Sequence, residues 1–352
     1  MQSTLRQPRV ALGWIVFLAI AVVGLFYVKW FPYYHRAFVA ASQHSIGKSI
    51  LMGTSASAPA ASWQSAIDYA LAYGKAIWQA MVLGLLLGSA VQALIPPQWI
   101  ARALGRSDFS SVVKGGLMSL PGMMCTCCAA PVVAGLRARQ AASGAAIAFW
   151  LGNTALNPAT LIFMGFVLGW QWMGLRLALG LVMVFGLGYL VNRMVTPKEA
   201  EASREAIATL VTEDEANNAF TRWVKILGTM TLRLVPEYIG LVLILGAARA
   251  WLFPHIGPDI DNSVLWIIAL SIAGTLFVIP TAGEVPIIQA MLSFGMAAGP
   301  AGALLMTLPL ISVPSMAMLG RSFPKRVLAL VALAVVICGV ASGLLAVGLG
   351  FR

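Results

Sequence analysis

Three thiols stand within four residues, Cys125-Thr126-Cys127-Cys128, in the middle of an apolar stretch and just ahead of Pro131. A thiolate is a soft ligand and prefers Cu(I), zinc or another thiophilic centre. In an extended tip alternate side chains share a face, so Cys125 and Cys127 are expected to converge on one soft ion or metalloid. They are metal-ligand candidates in that sense alone. Clustered thiols can also exchange or form a disulfide. Cys125 and Cys128 have the Cys-x-x-Cys spacing of oxidoreductases, without a thioredoxin-like context around them. The plain alternative is that membrane cysteines pack as small hydrophobes, and this is the reading for Cys338, alone in an apolar run.

A cysteine-free counterpart lies at Thr281-Ala282-Gly283-Glu284-Val285-Pro286. An ionisable group at membrane depth is costly and marks a functional site by default, which makes Glu284 the candidate for proton coupling. It could equally be a helix-start carboxylate steadying the first turn of 286–296. Asn153, Thr154, Asn157 and Pro158 interrupt the apolar run 142–168, and Thr307, Pro309, Ser312 and Pro314 interrupt 299–319. Proline removes a backbone donor, and the neighbouring amide and hydroxyl groups can satisfy backbone or solute. Such residues either line a cavity or hydrogen-bond between helices. The solute-contact candidates are Cys125, Thr126, Cys127, Cys128, Asn153, Asn157, Thr281, Gly283, Glu284 and Ser312. Arg233 and Glu237, four apart, are expected to form an ion pair at the membrane interface.

The elements that carry these residues are apolar segments at roughly 10–28, 73–95, 107–139, 142–168, 171–193, 231–253, 262–297, 299–319 and 326–350. A span needs about 20 residues. Segments 107–139 and 262–297 are too long for one span and too short for two, and each has a polar Gly/Pro break near its centre. Re-entrant hairpins of two half-length helices fit that length. Irregular backbone at membrane depth survives only where protein or a water-filled cavity covers it.

Of 352 residues, 60% are hydrophobic and 10% charged, where a soluble domain carries about 25% charge. Mean hydropathy is +0.87. The chain therefore reads as an integral membrane protein. Its net charge of +11 reads as Lys and Arg holding topology, since no basic run is interleaved with aromatics as nucleic-acid binding would need. With a cytoplasmic N-terminus and both hairpins re-entrant, roughly 16 of the 23 basic residues fall inside, as the positive-inside rule favours. No Ser/His pair or two-carboxylate site appears, and His35, His44 and His255 fall in expected loops. No enzymatic activity and no cofactor is expected; the expected partners are a small-molecule solute, membrane lipid and a second copy of the chain.

A constant offset of 155 pairs Pro131 with Pro286, Gly144 with Gly299, Ala148 with Ala303 and Asn157 with Ser312. Each unit is span, hairpin, span, span, so three crossings turn the second unit over, a common transporter plan. The expected fold is an all-α polytopic membrane protein. It has two inverted-topology repeats, each with a broken or re-entrant helical hairpin, plus an N-terminal signal-anchor helix. The expected divisions are the anchor over 1–30, an extracytoplasmic loop over 31–72, the first repeat over 73–193, a cytoplasmic linker over 194–230 and the second repeat over 231–352.

The stretch Pro121-Gly122-Met123-Met124-Cys125-Thr126-Cys127-Cys128-Ala129-Ala130-Pro131 runs on through Gly144-Ala145-Ala146-Ile147-Ala148-Phe149 to Ala155-Leu156-Asn157-Pro158. With Gly283-Glu284-Val285-Pro286 it resembles the predicted-permease family that includes the ArsP organoarsenical efflux permeases. The resemblance spans roughly 73–350. It implies an inner-membrane permease exporting a thiophilic solute such as a trivalent organoarsenical, with Cys125 and Cys127 engaging it. The chain departs from the family pattern at Thr126, where Ser is usual, in the extra Cys128, and at Met123-Met124, where a Pro-Phe pair is usual. Another small anionic or sulfur-containing solute, with structural cysteines, is the alternative; an intramembrane thiol oxidoreductase is the third reading.

Overall fold

The computed structural model describes residues 8–53, 57–195, 219–253 and 256–351. Among these the chain is helical, with a single isolated bridge between Ser49 and Gly53. Seven helices are long and apolar enough to cross a membrane: Ala11–Gln43, Trp63–Leu94, Ser143–Val167, Trp170–Met194, Ala219–Leu252, Ala298–Leu319 and Lys325–Gly348. Each covers one of the seven segments expected to span. Large apolar side chains such as Leu12, Trp78, Trp251, Leu265 and Leu333 stand exposed on the outer surface. A soluble monomer does not leave so many open; lipid covers them in a polytopic membrane protein.

The first helix is longer than expected. α1 (Pro8–Leu25) passes through a π-turn at Phe26–Trp30 into α2 (Phe31–Gln43), so it continues well past residue 30. Pro32 directly follows the π-turn, a local widening that accommodates the backbone donor its ring removes. His44, in the left-handed conformation, closes α2. His35, expected in a loop, lies inside α2. Much of the linker expected over 194–230, like His255, falls outside the described residues.

α3 (Trp63–Leu94) starts at a Ser62 cap that accepts from Ser65 N–H and stops before Pro96-Pro97, which cannot continue it. After the short α4 (Pro97–Leu104), the first broken pair follows as α5 (Phe109–Ser119) and α6 (Thr126–Ala138). α7 (Ser143–Ala155) and α8 (Pro158–Val167) form one interrupted span, and α9 (Trp170–Leu181) joins α10 (Gly188–Met194) through a second π-turn. α11 (Ala219–Leu252) opens the second half. The second broken pair is α12 (Val264–Leu276) and α13 (Glu284–Ser293), followed by the interrupted span α14 (Ala298–Leu310) and α15 (Val313–Leu319), and then α16 (Lys325–Gly348). The order broken pair, interrupted span, span thus occurs twice.

The two interruptions share their chemistry. Asn157 caps α8, its side chain accepting from Ala159 and Thr160 N–H at 3.1 and 3.2 Å. Ser312 caps α15 in a reciprocal capping box with Ser315. A proline in the first helical turn follows each cap. Gly144 N–H donates to Asn192 Oδ1 at 2.7 Å and Gly299 N–H to Asn262 Oδ1 at 2.8 Å.

The core sits where α3, α6, α7 and α14 meet; every residue of α14 is buried. Small residues set the spacing. A Cβ on Gly84 would stand 2.1 Å from Cys128 O, and one on Gly88 would stand 2.3 Å from Pro131 O. α3 can therefore lie against the cysteine turn only because both positions lack a side chain.

Candidate functional site

The cysteine stretch is helical from its first turn, not extended. Met123 in the left-handed region (φ 47°) turns the chain, Cys125 caps α6 in extended conformation, and Ala129 N–H closes the first turn on Cys125 O. Helical winding puts i and i+3 on one face. The thiols in contact are therefore Cys125 and Cys128, Sγ to Sγ 2.8 Å, rather than Cys125 and Cys127. Cys127 points the other way, 3.6 Å from Ser312 Oγ at the second interruption. All three are free and buried. Thr126 fixes the turn to α7, its carbonyl accepting from Trp150 Nε1 at 3.0 Å. Asn153 holds the approach, Oδ1 accepting from Met124 N–H and Nδ2 donating to Phe149 O.

The second tip, residues 277–283, is unwound. Its exposed carbonyls need donors at that depth, and α3 supplies them: Tyr69 and Tyr73 hydroxyls donate to Val278 O and Ile279 O. Ala282 takes a positive φ of 64°, and Gly283 N–H closes a turn on Pro280 O before Glu284 opens α13.

Glu284 and its partner are 1% exposed: Arg176 Nη1 lies 2.7 Å from Glu284 Oε1. Arg176, from the middle of α9, also donates to Thr154 O at 2.7 Å, Leu305 O at 3.3 Å and Ala155 O at 3.5 Å. One guanidinium thus ties the frayed end of α7 and the wall of α14 to the second tip. Glu284 Oε2 and Asn157 Nδ2 remain buried without a protein partner. Both residues border a cavity of about 10 Å³ that Cys125 and Thr281 also line, enough for one water that would serve the acceptor and the donor together. Of the sequence candidates, Cys125, Asn157, Thr281 and Glu284 meet here; Cys127 and Ser312 meet beside it.

Sequence reasoning missed two cations. Arg176 is the lone charge in the apolar run of α9, a signal that an intramembrane ionisable group deserves on its own. Lys29 sits in the π-turn, a local geometry frequent at functional sites. It donates from Nζ to Tyr33 Oη and to Thr281 Oγ1, both at 3.2 Å. Its neighbour Trp30 donates from Nε1 to Pro121 O at 2.8 Å. The first helix therefore holds both tips.

Two larger cavities lie at different levels along α3. One of about 520 Å³ is bordered by Ala80, and one of about 400 Å³ by Gln92. These residues are about 18 Å apart at ~1.5 Å rise per residue. The cysteine turn packs on Gly84, between them. Arg233 and Glu237, both exposed, line the smaller cavity and form no ion pair with each other, contrary to expectation.

The family model described as a predicted permease, of the ArsP type, matches residues 8–149 and 62–347. The chain is 51% identical over 331 residues to the UPF0718 protein YraQ of Escherichia coli (strain K12), covering 94% of each chain. It is 22% identical over 341 residues to the UPF0718 protein MJ0584 of Methanocaldococcus jannaschii, covering 76% of this chain and 91% of that protein. No solved structure matches it. A helical scaffold with seven helices fit to span, a family match over most of its length and a half-identical relative together make this chain a polytopic membrane protein of the predicted permease family.

Proposed function

We propose that the chain exports a small thiophilic solute, such as a trivalent organoarsenical, through a site between the two tips. The observation that carries this reading is the meeting of three free buried thiols with the second half of the chain, Cys127 against Ser312 and Cys125 beside Thr281 and Glu284. A trivalent arsenical with two hydroxyls would exchange each for a thiol sulfur and release water, and the reverse exchange would free it. Soft sulfur ligands suit that centre, and two bonds rather than three keep release possible. Thr126, Asn153 and Gly283 shape the tips around it.

The cavities above and below the cysteine turn suit a site that opens alternately to each side. The twice-used order of elements and the matched caps Asn157 and Ser312 support two repeats that enter the membrane in opposite senses. On the charge pattern, the N-terminus and the 194–230 segment lie on the cytoplasmic side of a bacterial inner membrane. Glu284 serves as the proton-coupled group: protonation would release Arg176, and with it the tie between α7, α14 and the second tip.

The test is accumulation of a trivalent methylated arsenical by everted membrane vesicles, comparing the intact chain with Cys125→Ser, Cys127→Ser and the double variant at equal membrane levels. Thiol-dependent accumulation is expected. Full transport by the double variant would move the function to another solute with the cysteines as packing.

A further inference from the structure

Lys29 is a buried cation, 4% exposed, whose hydrogen-bond and ring partners are the Tyr33 hydroxyl, the Thr281 hydroxyl and the Tyr33 ring, with its centroid 5.2 Å from Nζ; the thiols of Cys125 and Cys128 are the acidic groups close to it. Neither ion pair formed between described residues includes it. A charge held out of water with no carboxylate beside it is costly unless a thiolate or an arriving anion balances it. The cavity it heads, about 520 Å³, is also bordered by Arg36 and Lys48 and by no described Asp or Glu. Such a single-sign concavity focuses field and concentrates anions. Thr281, in hydrogen-bond contact with Lys29, also borders the small cavity with Cys125. A group held by Lys29 would therefore point its other end toward the thiols.

We infer that the Lys29 cavity is an anion-binding vestibule, and that the preferred solute carries a negative charge beside its thiophilic centre. This rests on the thiol site proposed above and adds the charge of its solute. Lys29 and Thr281 Oγ1 supply the donors for an oxyanion or carboxylate; Arg36 and Lys48, both exposed, draw it in. A neutral trivalent arsenical would fill only the thiol half.

The probe is thiosulfate, the smallest anion with oxyanion and soft-sulfur ends, with sulfate as the hard control at equal ionic strength, because salts also stabilise proteins without binding a site. Ligand that binds only the folded chain raises its melting temperature saturably. The full-length protein in neutral detergent is expected to show a saturable thiosulfate shift exceeding that of sulfate. Half-saturation should weaken about tenfold or more in Lys29→Gln, the loss of a charged contact, and little in Lys29→Arg. Lys29→Gln keeps a donor for Thr281 and removes a buried charge that no carboxylate pairs, so the ligand-free variant should fold and melt close to the parent. An equal thiosulfate response in Lys29→Gln would overturn the inference. So would a response seen only in Cys125→Ser, which would make Lys29 the counterion of a resident Cys125 thiolate. A Lys29-dependent shift given by phosphatidylglycerol vesicles and not by thiosulfate would assign the cavity to lipid headgroups and overturn it too. The thiol reading is judged separately, by transport of the neutral arsenical in the intact chain against Cys125→Ser/Cys127→Ser, a comparison that leaves Lys29 in place.

Discussion

Arg176 and Glu284, 108 positions apart in sequence, meet at 2.7 Å with 1% of each side chain exposed. Their contact joins the second turn of the first half's final span to the opening residue of α13. A buried pair of this kind is weak evidence for net stability, because desolvation offsets much of the attraction, but a half-broken pair leaves a charge stranded. Here the remaining guanidinium bonds are to backbone carbonyls, so removing the carboxylate would leave a cation with dipoles alone.

Glu284→Gln and Arg176→Met are each expected to destabilise the protein by about 3–5 kcal/mol, and the double change Arg176→Met/Glu284→Met by much less. Unfolding of the purified protein in graded denaturing detergent measures this. Transport separates the roles: a stable double variant that still responds to a proton gradient would make the pair structural, whereas one that transports without that response would place coupling at Glu284.

Cys128 is the thiol in contact with Cys125. Cys128→Ser should therefore reduce thiol-dependent transport as strongly as Cys125→Ser, by about tenfold or more for loss of one strong ligand contact. Parallel uptake curves for the three single serine variants check it. Normal transport in Cys128→Ser with loss in Cys127→Ser would show that the helical turn rearranges to bring Cys125 and Cys127 together.

Gly84→Ala would drive a methyl group into Cys128 O. Overpacking of this sort costs about 1–3 kcal/mol, and here the strain falls on the cysteine turn, so transport should fall with stability. Gly74→Ala, on the same helix with nothing within 4 Å of the new carbon, is the control; it should be neutral or stabilise by about 0.5–1 kcal/mol through helix propensity. Melting temperatures of the two variants decide the point.

Outside the spans, Asp261 accepts hydrogen bonds from Ser263, and these hold its carboxyl below the usual carboxylate range. A depressed folded-state pKa contributes stability that is present above the unfolded value, near pH 4, and fades as pH falls through the lowered one. Protection of the Ser263 amide from hydrogen exchange should therefore drop on acidification below about pH 4, and Asp261→Asn should remove that pH dependence. An unchanged profile in the variant would assign it elsewhere.

The sequence by itself determined the membrane class, the seven spanning segments and the places where helices break. These follow from apolar run length, from prolines that cannot donate and from polar residues that hydrocarbon does not tolerate singly. It also marked Cys125, Asn157, Glu284 and Ser312, because each is chemically out of place in its run. Only the tertiary structure decided which groups meet. Extended alternation and helical winding pair different cysteines, and the four residues Cys125 to Cys128 contain nothing that selects between them; Met123 at positive φ and the packing of Gly84 on Cys128 do. Nor does local sequence say that the lone cations Lys29 and Arg176 lie beside Thr281 and Glu284, more than a hundred residues away. A charge in an apolar run signals that a partner must exist; the fold alone supplies it, because electrostatic pairing depends on distance in space and the chain's local pattern carries no record of that distance.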